Sequence, residues 1–215
     1  MSVNIFENNR WRTNEQQLGF RHRKALEMID CGKVLDLGCG DGLLLESLKK
    51  NGVDGIGLDI SDEAVKKCRV RGLNVELVNL EDLALPFSSN EFKFVVMLDI
   101  LEHLYYPKAL LMEASRIADK VIFSVPNFSS LPARIQTLFG FIPENNTPKK
   151  GHIYWFNYPV LLKMVKDNDL KILRLEMNTI WENKKIISLI IKFLSKIWPN
   201  VFALSFVVCC KRKDV

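Results

Sequence analysis

Four side chains stand where acid, base or metal chemistry could be assembled: Asp99, Glu102 and His103, spaced i, i+3 and i+4, and His152 further along. On a helical turn, positions three and four apart share a face, so the first three can converge while His152 reaches in from another segment. Imidazoles and carboxylates so placed can take a proton from a reacting hydroxyl. They could also hold a hard divalent ion such as magnesium or manganese. The competing expectation is structural: Asp99 and Glu102 shape a turn, and His103 caps or packs.

The ligand beside these groups is suggested by the stretch Val34 to Gly42, Val-Leu-Asp-Leu-Gly-Cys-Gly-Asp-Gly, followed by the helix-like Leu43 to Lys50. An apolar strand that ends in a glycine-rich turn and opens into a helix holds nucleotide-type ligands where a parallel strand ends. A dinucleotide fingerprint, Gly-x-Gly-x-x-Gly, would need glycine at position 43, which is Leu43. The second half of such a site is an acid closing the next strand, where it can accept both ribose hydroxyls. Asp59 closes Gly55-Ile56-Gly57-Leu58 at about the 20-residue offset this requires.

The chain of 215 residues is long enough for one domain with a sizeable core, and 48% hydrophobic with 26% charged residues excludes a disordered chain. The net charge of +5 is mild and spread along the sequence, so nucleic acid is not implied. Five cysteines without Cys-x-x-Cys spacing suggest neither zinc site nor disulfide framework, and no signal-like start or long apolar run is seen. A reducing cytoplasm is the default expectation.

Residues 1–18, polar with Phe6 and Trp11 as anchors, are expected to form an arm or lid. A helix follows over Phe20 to Ile29, with His22 on its surface. Ser61 caps the helix after Asp59, with Asp62 and Glu63 in its first turn. Strands are expected at Val75 to Val78, Phe92 to Leu98, Lys120 to Val125, Lys171 to Met177 and Leu204 to Cys210. Helices are expected from Pro107 to Ile117 and from Tyr158 to Lys166. The break at 126–157, with a short helix from Pro132 to Gly140, reads as a substrate insert, because long inserts in compact domains are usually functional.

With Asp-x-Gly-x-Gly-x-Gly at 36–42 and Asp59 in place, the chain resembles class I S-adenosylmethionine-dependent methyltransferases. Val34 to Gly42, Gly52-Val53-Asp54-Gly55 and Val125-Pro126-Asn127-Phe128 look like MetW proteins of methionine biosynthesis. Asp99-Ile100-Leu101-Glu102-His103-Leu104, Gly151-His152-Ile153-Tyr154-Trp155 and Leu204 to Val208 are closer to UbiG-like quinone O-methyltransferases. The resemblance implies an α/β, Rossmann-like sheet of seven strands, mostly parallel, with helices on both faces. It implies a cofactor pocket made by Asp36, Gly38, Cys39, Gly40 and Gly42, by Asp59 and Ile60, by Asn79 and Leu80 at the adenine, and by Asp99. Asn79 stands where the family commonly has aspartate, and a turn-forming Asn is an equal reading. Lys93 likewise replaces a usual aspartate. The acidic-x-x-Glu-His spacing with a later histidine is similar to metal-assisted O-methyltransferases, which makes Asp99, Glu102, His103 and His152 the ligand candidates and His103 and His152 the catalytic ones.

The expected activity is methyl transfer, to oxygen in the family's manner, on a small or amphiphilic acceptor. The alternative is a MetW-like partner of an acyltransferase that binds the cofactor without turnover. Lys184 to Trp198 is apolar over most of a helix, with Lys185, Ser188, Lys192, Ser195 and Lys196 as a narrow polar stripe. Such a helix is expected to dock on its own sheet or a second subunit. The sharper expectation is peripheral contact with a membrane surface, lysines meeting anionic headgroups.

Overall fold

The computed structural model describes residues 3–13, 17–82, 84–180 and 185–213. In chain order its elements are α1 (Val3–Thr13), α2 (Phe20–Met28), β1 (Val34–Leu37), α3 (Leu43–Lys50), β2 (Gly55–Asp59), α4 (Asp62–Val70), β3 (Val75–Leu77) and β4 (Phe92–Leu98). Then come α5 (Pro107–Ile117), β5 (Ala118–Pro126), α6 (Leu131–Leu138), α7 (Tyr158–Asp167), β6 (Leu170–Thr179), α8 (Lys185–Ile197), α9 (Pro199–Phe202) and β7 (Ala203–Arg212). Short 3-10 turns lie at Leu80–Asp82, Leu101–His103, Glu144–Asn146 and Pro148–Lys150.

The strands form one sheet in the order β3-β2-β1-β4-β5-β7-β6. The first five pair in parallel, and β7 runs antiparallel between β5 and β6. The order reverses between β1 and β4, so the loops leaving these two strands diverge and open a crevice at their carboxyl ends. Gly38 and Leu98-Asp99-Ile100 therefore meet the same crevice.

Side chains along the central strands alternate between two apolar layers. Val95 and Met97 of β4, Val121, Phe123 and Val125 of β5, and Phe206, Val208 and Cys210 of β7 pack with Leu110, Leu111 and Ala114 of α5 and Leu161 and Met164 of α7. Phe94, Val96, Ile122, Val207 and Cys209 point the other way, onto Ala25 of α2 and Leu44 and Leu48 of α3. Helices on both faces explain why the strands read as unbroken apolar runs. A fully buried side chain of this size contributes about 1.5–3 kcal/mol.

Helix boundaries follow local chemistry. The Ser61 hydroxyl accepts the Ala64 amide at 3.2 Å and Asn157 accepts the Val160 amide at 3.0 Å, each satisfying a free first-turn donor. Pro107 opens α5.

Two expectations are corrected. His22 is not a surface residue: α2 turns it inward, 2% exposed, because the apolar face that packs on the sheet includes it beside Ala25. On α8 the expected polar stripe is divided: Ser188, Ile191 and Ser195 are buried, whereas Lys192 and Lys196 are exposed together with Leu189, Ile190, Phe193, Ile197 and Trp198. Small serines let the helix lie close to β6, and Ser195 satisfies its hydroxyl on the Lys192 carbonyl at 2.9 Å. Lys184 and the side chains of Lys185, Ile186 and Ile187 lie outside the described residues, as do residues 14–16 of the N-terminal arm.

Candidate functional site

At the end of β1 the backbone is pulled toward β2 by bonds from the Gly38 and Cys39 amides to the Leu58 carbonyl, at 2.7 and 3.1 Å. Gly38 has φ +74, and a Cβ there would run into the Ile100 side chain. Gly42, φ +82, starts α3 in the left-handed region, with Leu73 and Cys68 where a Cβ would sit. Both positions exclude other residues by conformation as well as by contact.

Asp59 ties this turn to the next. One carboxylate oxygen accepts the Gly40 amide at 2.8 Å and the other the Ser61 amide at 2.9 Å. Burial nevertheless raises its pKa, partly offset by those amides. Asp36, beneath the turn, is pushed up to about 8 by burial and by the neighbouring Asp59.

Above the turn lies a cleft of about 740 Å³ including its mouth. Of the ten positions expected to hold cofactor, Gly38, Asp59, Ile60, Asn79, Leu80 and Asp99 line it; Asp36, Cys39, Gly40 and Gly42 support it from outside the wall. Asn79 is already engaged in its own turn, its oxygen accepting the Glu81 amide at 3.2 Å and its amide donating to Asp82 at 3.1 Å. Sequence reasoning missed Glu7, Arg10 and Arg21 on the same wall. They come from helices whose packing on the crevice no motif announces. Helix α1 is fastened there by Asn8, whose oxygen accepts from the Ser61 hydroxyl at 2.7 Å and the Glu63 amide at 3.3 Å, and by Trp11, which is buried.

A second, broader cleft, about 1670 Å³ with its mouth, adjoins the first. The two share Arg10, Arg21, Asp99 and His103 as a common wall. Glu102, Asn145, Lys149, Lys150 and His152 line only the second.

The expected quartet of Asp99, Glu102, His103 and His152 is a trio. Donor atoms of Glu102, His103 and His152 lie within 4.8 Å of one another, and Asp99 is not among them. Asp99 has φ +56, its carboxylate meets Arg21 at 3.1 Å and accepts from the Ser124 hydroxyl, and its amide donates back to that hydroxyl at 2.9 Å. Those bonds hold it on the wall common to both clefts and apart from the trio. His103 Nδ1 faces the Gly151 carbonyl at 3.1 Å and His152 Nδ1 the Asn145 carbonyl at 2.6 Å. A carbonyl only accepts, so each Nδ1 carries its proton and each Nε2 keeps a lone pair. Burial, reinforced by the facing His152, lowers His103 to about 4, and burial lowers His152 as well, so both rings are neutral at pH 7. Glu102 is 1% exposed, burial holds its pKa well above the carboxylate range, and its Oε2 has no hydrogen-bond partner among the described residues. Its Oε1 stands 4.0 Å from His152 Nε2, too far for a hydrogen bond. The Glu102 carbonyl accepts the Ile153 and Tyr154 amides at 2.9 and 3.0 Å, and this brings His152 home.

The strand order and the two joined clefts define a class I S-adenosylmethionine-dependent methyltransferase fold. Solved structures agree: a SAM-dependent methyltransferase from Archaeoglobus fulgidus superposes with TM-score 0.69 at 19% identity, covering 98% of this chain and 100% of that one. The SAH-bound magnesium protoporphyrin IX methyltransferase of Synechocystis PCC 6803 gives 0.68 at 19% identity, with 98% of each chain covered. The family model described as "Methionine biosynthesis protein MetW" matches residues 21–208, and the chain belongs to that family. Among curated relatives, a ubiquinone biosynthesis O-methyltransferase of Methylococcus capsulatus is 35% identical over 116 residues, which are 50% of this chain and 48% of that protein. The corresponding protein of Thiobacillus denitrificans is 34% identical over 104 residues, 44% of each chain. The chain thus spans about half the length of the curated relatives it matches.

Proposed function

We propose that this chain transfers a methyl group from S-adenosylmethionine to an oxygen of a small or amphiphilic acceptor. The observation that carries the reading is the wall of Asp99 and His103 shared by two clefts, one walled by Asp59 and the glycine turn, the other by the Glu102 and histidine cluster. Asp59 would accept ribose hydroxyls, Asn79 and Leu80 would border the adenine, and Gly38 with Asp99 would hold the amino-acid end. The cofactor's sulfonium makes the methyl a good electrophile. The chain's own task is alignment, for which proximity and orientation can supply roughly 7–11 kcal/mol. His103, with its Nδ1 fixed on Gly151, presents Nε2 to an acceptor hydroxyl.

The same lone pairs fit a divalent ion. Two neutral imidazoles with Nδ1 held by backbone carbonyls, beside a carboxylate with an orphaned oxygen, form a donor set of the metal-binding kind. With Asp99 withdrawn, two nitrogens and one oxygen suit zinc, iron or manganese better than magnesium. A bound ion would supply Lewis acidity toward an acceptor oxygen. Incubation of the protein with cell extract and isotopically labelled methyl donor, followed by mass spectrometry, should yield a labelled product. Activity unchanged by strong chelation and by His152→Ala would remove both ion and His152 from the reaction.

A second reading, a cofactor-binding partner of an acyltransferase without turnover, is favoured by the family match. Extract that yields no labelled product, with an acyltransferase co-purifying, would select it. Among the described residues no helix is long and apolar enough to cross a membrane. We infer a cytoplasmic protein with peripheral membrane contact through the outward Ile190, Phe193 and Trp198, Lys192 and Lys196 meeting anionic headgroups. Sedimentation with anionic liposomes at low salt should be weakened by Lys192→Glu with Lys196→Glu; a protein wholly in the supernatant removes this contact.

A further inference from the structure

We propose that the methyl acceptor carries an anionic substituent, a carboxylate or phosphate, seated between Arg10, Lys149 and Lys150 while its reacting oxygen reaches the two histidines. This deepens the methyltransferase reading and rests on it. The turn Pro148–Lys150 leads straight into Gly151 and His152, so the residues that present the lysines also place the imidazole. Gly151 leaves in the left-handed region, φ +71, with Phe6 of α1 where a Cβ would lie, and its carbonyl receives His103 Nδ1 at 3.1 Å.

The charges of the broader cleft are not self-compensating. Asp99 is matched by Arg21 at 3.1 Å, and Glu102 sits at the deep end against His152. Arg10 is shared with Glu7 at 3.5 Å, on the cofactor side. The side chains of Lys149 and Lys150 make no ion pair or hydrogen bond among the described residues, and the one further carboxylate on the lining is Glu144. Around the same cavity three buried polar atoms lack hydrogen-bond partners among the described residues: Arg21 Nε, Glu102 Oε2 and Asn145 Oδ1. Orphaned buried donors and acceptors are costly, about 1–3 kcal/mol each, and are usually satisfied by a ligand or ordered water. The unpartnered polar atoms favour a polar ligand over a purely apolar one, and Arg10, Lys149 and Lys150 on the same lining favour a negatively charged head. The walls of this cleft would also raise the local concentration of anions.

The test uses calorimetry on the full chain saturated with S-adenosylhomocysteine, titrated with 4-hydroxybenzoate and with its uncharged counterpart 4-hydroxybenzamide. The carboxylate should bind at least about tenfold more tightly at low salt, as a charge-assisted pair of contacts permits. That preference should shrink to less than about threefold in Lys149→Glu with Lys150→Glu and recover with the Lys149→Arg and Lys150→Arg pair. The cofactor affinity should be unchanged in both variants, since neither lysine lines the cofactor cleft. Equal or undetectable binding of the two probes overturns the proposal. So does an unaltered preference in the glutamate variant, or a variant that loses only binding to anionic liposomes, which would assign the lysines to lipid headgroups. Failure of S-adenosylhomocysteine to bind the wild-type protein would instead sink the methyltransferase reading, a separate result from the same instrument.

Discussion

The two adjoining clefts are built on different terms. The proposed cofactor cleft stands on strand ends, and its acid is fixed by the fold: both Asp59 oxygens accept backbone amides, from Gly40 and Ser61. The broader cleft is lined largely by 3-10 turns and by α1, and three buried polar atoms around it have no hydrogen-bond partner among the described residues. A sheet can fix a carboxylate to a few tenths of an ångström because parallel pairing fixes the register. A turn-rich insert can be varied without disturbing that register. The first cleft is therefore suited to a constant ligand, and the second to one that differs from protein to protein.

The largest effect should come from the two clustered histidines, His103 and His152. His103→Ala is expected to lower methyl transfer by about 10²–10⁴-fold, the range for a positioned acid, base or ligand. His152→Ala should behave similarly while leaving S-adenosylhomocysteine affinity intact, because His152 lines only the broader cleft. Equal loss of cofactor binding in His152→Ala would break the separation of the clefts. Next, Asp59→Ala should weaken cofactor binding by about 10–100-fold in calorimetry, since it removes a charged acceptor and unties two amides. Tight NADH binding with no response to either sulfur nucleotide would overturn the assignment of that cleft altogether.

A smaller effect is expected at the fastening of α1. Asn8→Ala removes an acceptor for the Ser61 hydroxyl and the Glu63 amide, a loss of about 0.5–2 kcal/mol by analogy with helix caps. Cofactor affinity should fall several-fold, and proteolysis near the chain start should quicken; unchanged values would show that α1 does not cover the cofactor.

The smallest signal is in pH. His22 and His103 are each lowered to about 4, so the folded state resists protons that the unfolded chain accepts near 6.5. Their contribution is complete above about pH 6.5 and is lost as pH falls toward 4. Asp36 works in the opposite sense: raised to about 8, it contributes most below the ordinary carboxylate range and loses that contribution as pH rises toward 8. Thermal melts of His22→Gln should show a shallower acid limb, and those of Asp36→Asn a shallower decline as pH rises from the carboxylate range to about 8.

Much of this molecule is readable in one dimension. The apolar runs, the glycine turn of Gly38, Gly40 and Gly42, the caps at Ser61 and Asn157, and Asp59 at its offset specify the parallel sheet and its crevice, because each depends on neighbours within a few residues or on a fixed repeat. Sequence also placed Glu102, His103 and His152 in one constellation. It could not separate Asp99 from them. That was decided by Arg21 and Ser124, which come from α2 and β5 and meet Asp99 only once the sheet is assembled. Nor could it turn His22 inward, send the serines of α8 to the sheet and most of its large apolar residues outward, or seat Glu7 and Arg10 in the wall of the first cleft. Helical periodicity names a helix's faces, but only the surface it docks against chooses which face is covered, and that choice is made by contacts far apart in the chain.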